Sequence, residues 1–97
     1  MVTEIIIYKL KENTEDIYWD AFMKKSLPAM KEWGINILNF GFSIENPLIF
    51  HLTRSFKSLE DRNKTLEEFY SSDEWRMGAR TDIIESIESS KTTVFES

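Results

Sequence analysis

Leu52-Thr-Arg-Ser-Phe-Lys-Ser-Leu-Glu-Asp-Arg62, continued by Leu66-Glu-Glu-Phe-Tyr-Ser-Ser-Asp-Glu-Trp75, is the stretch that decides the fold. It reads as the end of a strand, a tight entry into a helix, and an aromatic lock after that helix. Ser58 is placed to cap the helix, and Glu60 and Asp61 bring negative charge to the free N–H groups of its first turn. Leu59, Arg62, Leu66, Phe69 and Tyr70 fall on one stripe at helical spacing. Ser71 or Ser72 then opens a second short turn, again acidic at Asp73 and Glu74, ahead of Trp75.

Working outward, Leu48 to Phe56 alternates, with Leu48, Phe50 and Leu52 opposed to Ile49, His51 and Thr53. Asn46-Pro47 is a turn signal. Before it, Asn36 to Glu45 sets Leu38, Phe40, Phe42 and Ile44 against Asn39, Gly41 and Ser43, so the two strands make a hairpin. Val2 to Leu10, with Ile5, Ile6 and Ile7 in a row, reads as a strand covered on both faces. Between them Asn13 and Asp16 start a helix carrying Ile17, Tyr18, Ala21 and Phe22, with Trp19 and Met23 at the margins of its stripe. Pro28 interrupts that helix by a kink or restart, and Gly34 suits a left-handed residue ending it. Towards the carboxyl end Thr81 caps a further helical segment holding Ile83, Ile84 and Ile87. Lys91 to Phe95 is a β-prone strand.

The order is β-α-β-β-α-(α)-β over one domain, residues 1–97. This is an α+β, ferredoxin-like arrangement: a four-stranded antiparallel sheet with its helices on one face. Leu38, Phe40, Phe42, Leu48, Phe50 and Leu52 are the expected seat of the helices. The other face, expected to carry Ile5, Ile7, Ile37 and Ile49 beside Asn39, Ser43, His51 and Thr53, is left bare. Such a face spans on the order of 400 Å². Burying ~200 Å² of apolar area there contributes about 5 kcal/mol per subunit. A homodimer packed sheet to sheet is the expected assembly.

The Arg54-Ser55-Phe56 strand end, Ser58-Leu59, Arg62, Leu66, the Phe69-Tyr70 pair, Ser72 and the Glu74-Trp75 ending resemble the NIPSNAP family, and Pro28, Gly34 and the segment from Arg80 to Ser90 are compatible with it. The resemblance implies a dimeric α/β barrel built from ferredoxin-like subunits, and brings no agreed catalytic set.

Composition bounds the function. Hydrophobic residues at 41% and charged residues at 30% suit a globular chain, and a net charge of −5 disfavours a nucleic-acid partner. The absence of cysteine excludes disulfides, thiolate nucleophiles and zinc-thiolate sites, and a single histidine, His51, excludes multi-histidine metal centres. No metal or cofactor is implied. No apolar run approaches the ~20 residues of a membrane span, and Glu4 stands where a signal peptide carries positive charge, so a cytoplasmic protein is expected.

Among residues able to do chemistry, His51 is the one candidate general base, set against a plain hydrogen-bonded histidine in a dimer interface. Tyr8, Trp19, His51, Tyr70 and Trp75 are the candidates for lining a pocket between sheet and helices, where aromatic bodies hold a flat apolar ligand and hydroxyls orient it. The competing reading makes Tyr70 and Trp75 ordinary core. Arg54, Arg62 and Arg80 would either bind an anion or pair with Glu60, Asp61, Asp73, Glu74 and Asp82. The adjacent acids diverge around their helices and make no carboxylate pair, and the glycines form no phosphate loop. The sequence therefore points to a small dimeric protein of unassigned activity that holds an apolar or aromatic molecule. The alternative is a cofactor-free oxygenase or isomerase acting on an aromatic or polyketide-like substrate.

Overall fold

The computed structural model describes all residues 1–97. Four strands, β1 (Val2–Leu10), β2 (Asn36–Phe42), β3 (Ile49–Phe56) and β4 (Ile87–Glu96), form one antiparallel sheet in the order β2-β3-β1-β4. Helices α1 (Glu15–Ala21) and α2 (Leu27–Glu32) link β1 to β2, and α3 (Leu59–Ser71), α4 (Asp73–Arg76) and α5 (Arg80–Ser86) link β3 to β4. This is the ferredoxin-like α+β arrangement. No helix is long and apolar enough to cross a membrane.

The caps act where the side chains allow them. Ser58 Oγ accepts from Asp61 N at 3.0 Å and Ser72 Oγ accepts from Trp75 N at 3.3 Å. Gly34 takes φ +76° after α2, a conformation that strains any residue with a Cβ. The first helix departs from expectation in two ways. Thr14, not Asn13, precedes it, because Asn13 is itself left-handed at φ 65° within the turn. And α1 reaches α2 through a π-helical turn, Phe22–Ser26, in which Leu27 N–H reaches back to the Phe22 carbonyl. Pro28 follows at the start of α2, and the wider π turn before it gives its ring room against the preceding carbonyls. Thr81 is likewise not a cap: α5 begins at Arg80 after Ala79 without any side-chain cap. Ile87 belongs to β4 rather than to the helix, so that strand is longer than its β-prone core.

Register corrects the assignment of faces. Phe40 pairs with Leu52 but Ile37 pairs with Arg54, so an extra residue is accommodated between Ile37 and Asn39. The bulge turns Ile37 to the helix side, where it packs on the core, and leaves Leu38 half exposed. The core beneath the helices holds Ile6, Leu10, Tyr18, Phe22, Phe50, Leu52, Phe69 and Trp75. Rings of Tyr18, Phe22, Phe40 and Phe42 lie 4.9–5.1 Å from one another or from Phe50, several of them edge to face. The opposite face carries Ile5, Ile7, Ile49, His51 and Thr53, with no helix over it.

Candidate functional site

The inner face of the sheet contains a charge. Glu4 on β1 and Arg54 on β3 are cross-strand partners, and both are fully buried. Arg54 Nε–H donates to Glu4 Oε1 at 2.6 Å, and Arg54 Nη2 lies at 2.6 Å from the same oxygen. The second carboxylate oxygen accepts from Arg62 Nε and lies by Arg62 Nη2, each at 2.8 Å. One carboxylate thus faces two guanidiniums, with both oxygens satisfied. Sequence reasoning expected these arginines to pair with the acids of the helices. The structure instead pairs them with Glu4, because Arg54 shares its strand face with Phe50 and Leu52 and can reach no surface acid from there.

Arg54 Nη1 turns the other way. It donates to the Tyr70 hydroxyl oxygen at 3.1 Å and approaches Met30 Sδ at 3.4 Å, and its guanidinium carbon lies 6.0 Å from the centres of the Tyr70 and Phe56 rings. Burial pushes the Arg54 pKa down, but Tyr70 and Glu4 together push it up by more, so the cation is held well above its ordinary value.

Above Tyr70 lies a cleft of about 350 Å³ bounded by Tyr8, Tyr70, Trp75, Arg80, Ile83, Ile84 and Ile87, of which six of the seven are hydrophobic. Its floor is the inner side of β1 and the start of β4, and its walls are the end of α3, α4 and α5. Tyr70 and Trp75 meet edge to face, 5.1 Å between centres at 74°. Two ties hold the walls: Trp33 Nε1 donates to Glu74 Oε2 at 2.9 Å, and the Ser86 carbonyl at the end of α5 accepts from Lys11 N at 2.9 Å. Arg80 has no carboxylate partner, and beside it Tyr70, Asp73, Arg76 and Met77 line a second groove that shares its rim. Burial first, then the neighbouring phenols, hold the Tyr8 and Tyr18 hydroxyls protonated well above the usual tyrosine range, with Arg54 opposing the shift.

Of the aromatic residues singled out in the sequence, Tyr8, Tyr70 and Trp75 share this cleft. Trp19 does not: it covers Phe42 and Phe40 over the other end of the sheet, at 5.7 and 6.2 Å between ring centres. His51 lies on the bare face, with Nδ1 3.4 Å from Thr53 Oγ1, and lines none of the cavities. Glu4, Ile83, Ile84 and Ile87 were missed as neighbours of the site. The first of these left a signal, since an arginine in register with inward-facing Phe50 and Leu52 needs an acceptor inside the core, and Glu4 lies in the isoleucine-rich strand β1. No group of acids and histidine could hold a metal ion.

Solved structures share this architecture over the whole chain. A NIPSNAP family protein with unknown function from Agrobacterium tumefaciens (Atu4242) superposes with a TM-score of 0.89, at 21% identity, over 98% of this chain and 86% of that one. The fold is that of the NIPSNAP proteins. A NIPSNAP domain protein from Burkholderia xenovorans gives a TM-score of 0.88 at 10% identity, covering 100% and 94% of the two chains. An antibiotic biosynthesis monooxygenase is a more distant neighbour of the same NIPSNAP-like fold, at a TM-score of 0.77 and 10% identity over 100% and 98%. No family model matches the sequence, and no curated protein matches it.

Proposed function

We propose that this chain is a NIPSNAP-like protein that works as a homodimer and holds a small, flat, apolar or aromatic molecule in the cleft between sheet and helices. The observation that carries the reading is the cleft itself: six hydrophobic side chains, three of them aromatic, surround a space of about 350 Å³ whose rim carries the unpaired Arg80. Apolar walls with a small number of placed polar groups are the common construction of small-molecule sites, and this volume falls at the lower end of their ~300–1,000 Å³ range. The free cation at the rim favours a ligand with a negative tail. Titration with 2-naphthoate, followed by tryptophan fluorescence, tests the reading. Saturable quenching is expected, weakened at least tenfold by Ile84→Glu, which sets a negative charge on the apolar wall at a half-exposed position. Quenching that is linear and equal in both proteins contradicts it.

The dimer is proposed through the bare sheet face, where Ile7 is 40% and Phe95 52% exposed beside Ile5, Ile49 and His51.

A second reading, catalysis without a cofactor on an aromatic or polyketide-like substrate, draws support from Tyr8 and Trp75 facing the cleft and from the likeness to the antibiotic biosynthesis monooxygenase. His51 has no place in it, since the cleft lies on the other side of the sheet. Oxygen uptake in the presence of an enolisable hydroxyaryl ketone tests it: turnover lost in Tyr8→Phe supports catalysis, and uptake equal to the buffer blank removes it.

A further inference from the structure

The buried ion cluster does more than fill the core, because it fixes the direction in which a hydrogen bond leaves it. Arg54 is a donor only, so the 3.1 Å contact from Nη1 makes the Tyr70 oxygen an acceptor. The Tyr70 proton is therefore free to be given away, and no protein acceptor receives it. A hydroxyl that accepts from a cation becomes a stronger donor, since the two bonds polarise one another. Across the cleft the Tyr8 hydroxyl also has no hydrogen-bond partner. Glu15 Oε1 is the one polar side-chain atom that is both buried and unpaired, so the Tyr8 hydroxyl opens onto accessible space. Both residues line the same cavity. One carboxylate against two guanidiniums leaves a net positive charge behind them, and this favours electron-rich oxygen over a further donor.

We propose that the inner end of the cleft is a donor site for a carbonyl, enolate or carboxylate oxygen, in which the Tyr70 hydroxyl, set by Arg54, makes the leading bond and the Tyr8 hydroxyl the second. The inference rests on the ligand reading above and refines it: the flat apolar molecule carries an acceptor oxygen at the end that enters first. Glu4 and Arg62 are positioning residues, acting only through the orientation of Arg54.

The test compares two probes of nearly equal shape, 2-acetylnaphthalene and 2-ethylnaphthalene, which differ in the carbonyl oxygen. The wild-type protein is expected to prefer the ketone by about tenfold, the upper end for one hydrogen bond between neutral groups. Tyr70→Phe, which removes the proton but keeps the ring, brings that preference, read as the ratio of the two affinities within the same protein, close to one. The infrared carbonyl stretch of the bound ketone falls in the wild type and recovers in Tyr70→Phe. Tyr8→Phe gives a smaller loss of preference. If both probes bind the wild type equally, or if Tyr70→Phe leaves the preference intact, the donor site is wrong although the cleft still binds. If neither probe binds, the ligand reading itself fails and this proposal fails with it.

Discussion

Glu4 carries more of the structure than its place in an isoleucine-rich strand suggests. It is the sole carboxylate facing Arg54 and Arg62, and its removal leaves a fully buried guanidinium without a counter-charge. Glu4→Gln is expected to cost about 3–5 kcal/mol in urea denaturation, the usual loss on breaking one side of a buried pair. The double substitution Glu4→Leu with Arg54→Met is expected to recover most of that loss, because the pair balances its own desolvation, while lowering the discrimination between ketone and hydrocarbon in the cleft, since Tyr70 keeps its proton but loses the cation that orients it. A second prediction concerns the phenols. Tyr8 and Tyr18 have raised folded-state pKa values, from burial first. The stability they contribute is full below the unfolded tyrosine pKa of roughly 10 and is lost as pH rises above it. Tyrosinate absorbance of the folded protein should therefore lack the contributions of Tyr8 and Tyr18 just above that pH, and these should appear on addition of urea. Full titration of all three in the folded state contradicts the burial. His51 illustrates the limit of reading single residues. Its chemistry was legible in the sequence but its side of the sheet made it irrelevant to the cleft, and only the pairing of Ile7 with His51 shows which side that is.

Among the elements, the helices after β3 form the cleft walls, and their caps and joint are the sensitive points. Ser58→Ala should cost about 1 kcal/mol through loss of the acceptor for Asp61 N, measured by thermal unfolding. Gly78 joins α4 to α5, and a Cβ there would stand 2.4 Å from the Glu74 backbone oxygen. Gly78→Ala should therefore displace α5, costing about 1–3 kcal/mol and weakening 2-naphthoate binding, whereas an unchanged melting temperature and affinity would show the joint to be loose. Ser58, Ser72 and Gly34 were readable because each does a local job that its chemistry dictates. The β2 bulge was not, because Ile37 and Leu38 are both apolar and either fits the inward position by pattern alone. Pro28 announced a disturbance, but local sequence does not choose between a π turn and a kink, since either relieves the clash of the proline ring with the preceding turn.

At the scale of the whole molecule, helices cover one side of the sheet and leave Ile5, Ile7 and Ile49 on the other, and topology made this legible before any coordinates. Sedimentation equilibrium at micromolar concentration should give a dimer, and Ile7→Lys, on the bare face, a monomer that is still folded; a wild-type monomer contradicts the assembly. Tyr8, Tyr70 and Trp75 come together because β1 and the end of the α3–α4 segment converge over the buried ion pair, whereas Trp19 belongs to the other helical layer. The measurement that bears most directly on the account is a crystal structure grown with 2-acetylnaphthalene. Density for the naphthalene between Trp75, Ile84 and Ile87, with its oxygen within hydrogen-bond distance of Tyr70, is the result expected. Density on the bare face beside His51, with the cleft unchanged, would contradict it.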